Sequence, residues 1–127
     1  LAGFIDGEGS IGIDRTMTTL IQISNTNRKI LEWIQQIVGY GSISSDPDTD
    51  NNNWKQIYGY NLGKRDYIRS LLLQLLPYLK IKRRHAEVMI EFIESRNETL
   101  KQKNNAAYTN HERALQQEIA QLNKRGT

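Results

Sequence analysis

The stretch Leu1-Ala2-Gly3-Phe4-Ile5-Asp6-Gly7-Glu8-Gly9 decides the reading of this chain. Leu1 to Glu8 reads as a short helix closed by Gly9, because glycine is favoured just past a helix end, where a left-handed conformation is needed. Gly3 and Gly7 are four apart and share one helix face, where missing side chains let another backbone approach closely. Asp6 and Glu8 sit at the C-terminal end, which the helix dipole already makes negative, so a nearby cation is expected there. If two copies pair through their glycine faces, each brings a carboxylate to the same end of the interface. Hard oxygen ligands gathered in this way suit magnesium.

Working outward, Ser10 to Ser24 alternates with period two and reads as a hairpin, with Ile11, Ile13, Ile21 and Ile23 on one face. Ile30, Leu31, Ile34, Ile37 and Val38 follow at helical spacing, with Asn25 or Asn27 as cap and Gly39 and Gly41 as stops. Tyr40 to Ser45 and Lys55 to Leu62 form a second strand pair, separated by the polar turn-rich run Asp46 to Asn53. Helices are expected over Asp66 to Leu76, ended by Pro77, then over Lys82 to Arg96 and near Glu112 to Lys124. The order α-ββ-α-ββ-α-α up to Arg96, followed by the last helix, places the chain in the α+β class. We expect one domain over residues 1–127, with a core over 1–96 and a helical extension over 97–127. No internal repeat is visible.

The 17 Lys and Arg against 14 Asp and Glu give a net charge of +3, compatible with a polyanionic partner without requiring one. The chain has no cysteine, which excludes disulfides, thiolate zinc sites and cysteine nucleophiles. Two histidines, His85 and His111, are too few and too isolated for zinc. The longest apolar run, Leu71 to Leu76, is broken by Gln74 and is far short of the roughly 20 residues of a membrane span. No membrane association and no small-molecule substrate are expected. The chain opens inside an apolar segment with no initiator methionine or leader pattern, which suggests further residues upstream. Its Asn, Lys and Ile content hints at an AT-rich gene, as in organelles; a bacterial or archaeal cytoplasm fits equally.

The string LAGFIDGEG resembles the signature of the LAGLIDADG homing endonucleases, identical in six of nine places and departing at Phe4, Gly7 and Glu8. Glu8 keeps a carboxylate where the signature has one. A second segment, LPYLKIKRRHAEVMIEFIE from Leu76 to Glu94, is similar to the region of algal intron-encoded homodimers that carries a basic active-site residue, here Lys82. The resemblance implies the αββαββα fold, with a four-stranded antiparallel saddle-shaped sheet in the DNA major groove and an extra C-terminal helix. It also implies a homodimeric, metal-dependent nuclease cutting double-stranded DNA at a long pseudo-palindromic target. Glu8 and the Gly7 carbonyl would hold Mg2+, with Mn2+ or Ca2+ able to stand in its place. Lys82 would stabilise charge, and Asn25 would position water unless it serves instead as a helix cap. Ala2, Gly3, Asp6 and Gly7 would form the dimer interface.

With the isoleucines of the strands, including Ile43 and Ile57, turned to the helices, alternation puts Asp14, Thr16, Thr18, Leu20, Gln22, Ser24, Ser44, Gln56, Tyr58 and Tyr60 on the other face. Hydrogen-bonding side chains there suit base edges, and Leu and Tyr suit thymine methyls. Arg15, Lys55, Lys64 and Arg65 are candidate phosphate contacts, as are Arg83, Arg84, Lys124 and Arg125, and the resemblance places Arg28 or Lys29 near a basic DNA-binding position that accompanies Asn25. The alternatives are an RNA-splicing maturase and a non-catalytic DNA-binding protein on the same fold. Retention of both Glu8 and Lys82 favours catalysis over the latter.

Overall fold

The first helix and first strand meet at Gly9, and the computed structural model, which describes residues 1–45 and 56–124, gives that glycine a different job from the expected one. Gly9 is extended, with φ −92° and ψ 163°, rather than left-handed. A Cβ on it would lie 2.8 Å from the Ile5 Cα and 2.9 Å from the Ile5 oxygen. The residue is small because the strand leaves the helix in contact with its last turn.

Helix α1 spans Ala2–Glu8, followed by β1 (Gly9–Ile13), β2 (Thr19–Asn25), α2 (Arg28–Val38), β3 (Ser42–Ser45) and β4 (Tyr58–Leu62). Then come α3 (Arg65–Leu75), a 3-10 turn over Leu76–Tyr78, α4 (Arg83–Gln102) and α5 (Asn110–Lys124). The strands form one antiparallel sheet in the order β1-β2-β4-β3. This is the α+β, αββαββα layout, continued by two further helices, α4 and α5. The connection over residues 46–55, including Lys55, and the terminal residues 125–127 lie outside the described residues.

Alternation works as expected in the first hairpin: Ile11, Ile13, Ile21 and Ile23 are buried against the helices. They meet Leu31 and Ile34 of α2, Ile68 and Leu72 of α3, and Val88, Met89, Phe92 and Ile93 of α4. In the second pair β3 keeps its expected faces, with Ile43 inward and Ser44 outward, and β4 corrects the reading by one residue. Tyr60 stands opposite Ile23 and Ile43, and Leu62 opposite Ile21, so these side chains enter the core. Ile57 is 42 % exposed instead. Tyr60 can be buried because its hydroxyl donates to the Tyr40 carbonyl at 2.6 Å. A one-residue slip exchanges faces throughout a strand, so Tyr58 also leaves the predicted DNA face and Asn61 joins it.

Helix α4 runs six residues beyond the expected Arg96. The reason is a buried clasp: Arg96 Nη1 meets Glu112 Oε1 at 3.0 Å, and Ser95 donates to Glu112 Oε2 at 2.8 Å. That clasp binds α5 to α4. Helix α5 then lies along β1, the edge strand of the sheet, where Gln116 and Asn123 donate to the Ile13 and Ile11 carbonyls at 3.1 Å. Edge carbonyls that could recruit another strand are thereby occupied.

Candidate active site and nucleic-acid interface

Asp6 is the joint of the site. Its carboxylate accepts the backbone N–H groups of Lys80, Ile81 and Lys82 at 2.8, 3.2 and 2.9 Å. The Asp6 charge at the negative end of α1 is thus met by three amides from the turn before α4. Desolvation by burial pushes the Asp6 carboxyl up, but the three N–H groups and the nearby Lys82 charge outweigh it and hold it below the usual range. Asp6 is a structural anion, with its carboxylate turned into its own chain.

That anchorage delivers Lys82 to the end of α1. Lys82 is only 6 % exposed, and its side chain has no hydrogen-bonded or ion-paired partner among the described residues. From the other side, Asn25 Nδ2 donates to Glu8 Oε2 at 2.8 Å. The Asn25 oxygen accepts the Asn27 N–H at 2.8 Å, while Asn27 caps α2 by accepting from the Lys29 N–H at 3.0 Å. The cap role therefore falls to Asn27, and Asn25 is left facing Glu8. Glu8 itself is exposed.

Gly3 and Gly7 are exposed, and a Cβ on either would meet nothing within 4 Å; Ala2 is half-buried. The glycine face is open, as an interface with another helix requires. Among the described residues no three or more His, Cys, Asp and Glu side chains gather as a metal-holding group. With Asp6 committed to α4, this end of the chain offers one projecting carboxylate, that of Glu8, beside the Gly7 carbonyl, which belongs to the unpaired last turn of the helix.

The open face of the sheet carries Ser10, Leu20, Gln22, Ser24, Ser44 and Asn61. Gln22 donates to the Asn61 oxygen at 2.9 Å, and Asn61 donates to Ser44 Oγ at 3.1 Å, a ladder of amides and hydroxyl across three strands. Asn61 was missed in the sequence, although Tyr58-Gly59-Tyr60-Asn61-Leu62 alternates large apolar residues with small or polar ones. Asp14, Thr16 and Thr18 are exposed in the β1–β2 turn, where the Asp14 carboxylate accepts from both backbone N–H groups and the Thr16 hydroxyl. Those bonds, the Thr16 hydroxyl first, hold Asp14 below the usual carboxylate range. Arg15 is exposed beside them.

Of the other expected contacts, Tyr60 is in the core, where burial pushes its hydroxyl up to about 12. Tyr58 lies on the helix side next to Asn25, with the Arg28 guanidinium 5.5 Å from its ring centroid. Arg28 also pairs with Glu32, and Arg83 with Glu87, each at 3.6 Å. Lys29 is exposed and Gln56 half-buried. His85, read as an isolated histidine, is buried, and neither ring nitrogen has a hydrogen-bond partner.

Comparison with known proteins places this geometry. The family described as the LAGLIDADG-like domain matches residues 1–87. Among solved structures, the homing endonuclease I-CvuI in complex with its target in the presence of Ca aligns with TM-score 0.69 and 21% identity, over 95% of this chain and 78% of that one. The archaeal intron-encoded homing endonuclease I-Vdi141I, complexed with DNA, aligns with TM-score 0.62 and 18% identity, over 97% and 94%. The homing endonuclease I-TnaI gives TM-score 0.59 and 20% identity, over 95% and 94%. No curated protein matches this chain.

Proposed function

The chain belongs to the LAGLIDADG-like domain family, and from that premise we propose that it is a site-specific endonuclease that hydrolyses both strands of a DNA duplex as a homodimer. The observation that carries the reading is the end of α1, where the Asp6 carboxylate holds the Lys82 backbone beside the turn from which Glu8 projects, and the Lys82 side chain is left without a hydrogen bond or ion pair among the described residues. A cation held in place with no side-chain hydrogen bond or ion pair of its own is open to an incoming anion, and a phosphodiester supplies one.

The residues fit a divalent metal. Glu8 is an exposed hard-oxygen donor, the Gly7 carbonyl is beside it, and the chemistry suits Mg2+, with Mn2+ or Ca2+ able to occupy the same donors. One projecting carboxylate per chain fits a site shared by two copies, and the open Gly3 and Gly7 face allows their helices to meet there. When bound, the metal supplies Lewis-acid stabilisation of charge on the phosphate. The protein's own groups do the rest. Lys82 neutralises charge that builds on the pentavalent phosphorus. Asn25, held by Glu8 and by the Asn27 N–H, keeps a second amide hydrogen with which to orient a water. Gln22, Ser24, Ser44, Asn61 and Leu20 face the major groove, and two copies read the two halves of a pseudo-palindrome.

The test is selection of cleaved sites from a randomised duplex library with Mg2+, using wild type and Glu8→Gln. Wild type is expected to enrich a two-fold related site and Glu8→Gln to bind it without cutting. Cutting by Glu8→Gln would remove Glu8 from the metal site. Specific binding without cutting by wild type would replace the nuclease reading with that of a DNA-binding protein.

A further inference from the structure

A groove of about 1100 Å3 runs between the open face of the sheet and α5, over residues 110–124, which lie outside the segment the family matches. Gly12 of β1 forms part of its floor; a Cβ there would stand 3.5 Å from the Asn123 amide nitrogen. One wall is the β1–β2 hairpin, ending in Leu20, and the other is α5. That wall is rigid: Leu115 and Ile119 are buried, and Gln116 and Asn123 are bonded to β1.

The charges along the groove do not cancel. Asp14 keeps its charge while accepting three hydrogen bonds in the hairpin turn and offsets that of neighbouring Arg15, and Glu118 is paired with Arg84 at 2.6 Å, so the Lys124 charge is left in excess. Arg15, at the hairpin end, and Lys124, at the end nearer the start of β1, have no ion-pair partner among the described residues. Between them Gln117 and Gln121 are exposed and make no hydrogen bond among the described residues. Gln117, Gln121 and Lys124 are four and seven residues apart, so they share one face of α5, with the two amides about 6 Å apart along the helix axis. That separation is comparable with the step between consecutive phosphates of one strand.

We propose that this face of α5 is a second wall of the DNA-binding surface, with Gln117, Gln121 and Lys124 contacting the sugar-phosphate backbone of the strand that lies over β1. The proposal rests on the duplex-binding reading above and extends it beyond the sheet. The groove is continuous with the sheet's open face, its uncompensated charge is positive, and amide and ammonium donors are the groups that grip phosphates. Contacts of this kind set register and affinity and carry no base preference of their own.

The experiment uses the full chain and a duplex carrying the site recovered in the selection above. Ethylation interference with wild type is expected to map phosphates that Gln117→Ala/Gln121→Ala no longer senses, with binding weakened about tenfold at fixed salt. Lys124→Ala should lower the slope of log affinity against log salt by about one. Gln117→Glu/Gln121→Glu, equal in shape but anionic, should weaken binding more than the alanines. Base preference should be unchanged throughout. Wild-type interference, affinity and salt slope in every variant overturn the proposal, as does a loss confined to one base pair. Absence of any DNA binding by wild type overturns both readings; bound wild type with unaffected variants overturns this one alone.

Discussion

Two cations on the same helix, Lys82 at the start of α4 and Arg96 about four turns later, are buried to nearly the same depth, 6 % and 4 % exposed, in different surroundings. Arg96 is answered at both terminal nitrogens, by Glu112 at 3.0 Å and by the Ala106 and Ala107 carbonyls at 3.0 and 3.4 Å, and by the Tyr108 ring 4.2 Å away, with only its buried Nε lacking a hydrogen-bond partner among the described residues. Glu112 in turn accepts from Ser95, Thr99 and the Thr109 N–H. Desolvation pushes its carboxyl up, but these bonds and the Arg96 charge hold it below the usual range. Lys82 has only the more distant field of Asp6, whose oxygens are already taken by backbone amides. A buried charge that its own chain satisfies is part of the fold. One left unsatisfied stores a preference for something that arrives later.

The largest expected effect follows from removing the unanswered cation. Lys82→Met keeps the volume and the helix start and breaks no side-chain hydrogen bond or ion pair among the described residues, so the thermal midpoint should hold. Cleavage of the selected site should fall by about a thousandfold or more, roughly 4 kcal/mol of transition-state stabilisation. Wild-type cleavage by this variant would make Lys82 as structural as Arg96 and erase the contrast.

The converse change attacks the answered pair. Glu112→Leu leaves Arg96 buried without its anion and should cost about 3 kcal/mol in urea denaturation, loosening α5 from α4. Arg96→Met/Glu112→Leu should recover most of that loss, since a pair of buried charges is often replaceable by apolar groups of similar size. Cleavage per folded molecule should stay close to wild type. If the double variant is as unstable as the single one, the clasp contributes more than the cancellation of two buried charges.

The comparison also marks what could be read from the chain. The first hairpin was legible because Ile11, Ile13, Ile21 and Ile23 leave one possible register. The second was not, because Ile57 outranks Tyr60 in hydrophobicity, and only the tertiary hydrogen bond from the Tyr60 hydroxyl to Tyr40 makes the tyrosine the buried partner. Glu8, Lys82 and Asn25 were found through likeness to a family, and the structure brings Asn25 against Glu8. Asp6 was read only as a dimer-interface residue, and its contacts within the chain were not visible in the sequence. Its partners there are backbone amides 74 to 76 residues away, which carry no side-chain signature. Arg96 looked like a helix end for the same reason: the anion that keeps it helical lies on another element. Local pattern reveals faces and caps, whereas long-range satisfaction of polar groups emerges only with the fold.

A third base on α4 gives the subtlest test. His85, one turn after Lys82, is buried, and both ring nitrogens lack a hydrogen-bond partner. Burial, and then the Lys82 charge, push its pKa down, against a smaller opposing effect from Asn123 of α5. The unfolded chain takes up this proton near pH 6.5, while the folded chain resists it until lower pH, so the unfolded state binds more protons in between. Stability is therefore complete above 6.5 and declines as pH falls toward the depressed native value. Asp6 and Glu112 act in a separate range, because their lowered carboxyl values keep their contributions until pH drops below that of ordinary carboxylates. Urea denaturation at pH 7 and pH 5.5 should thus find wild type weaker at the lower pH. His85→Gln should flatten the difference, and His111→Gln, at an exposed site, should leave it in place. Equal wild-type stability at the two values would mean that His85 accepts its proton in the fold, and that the start of α4 tolerates a second cation beside Lys82.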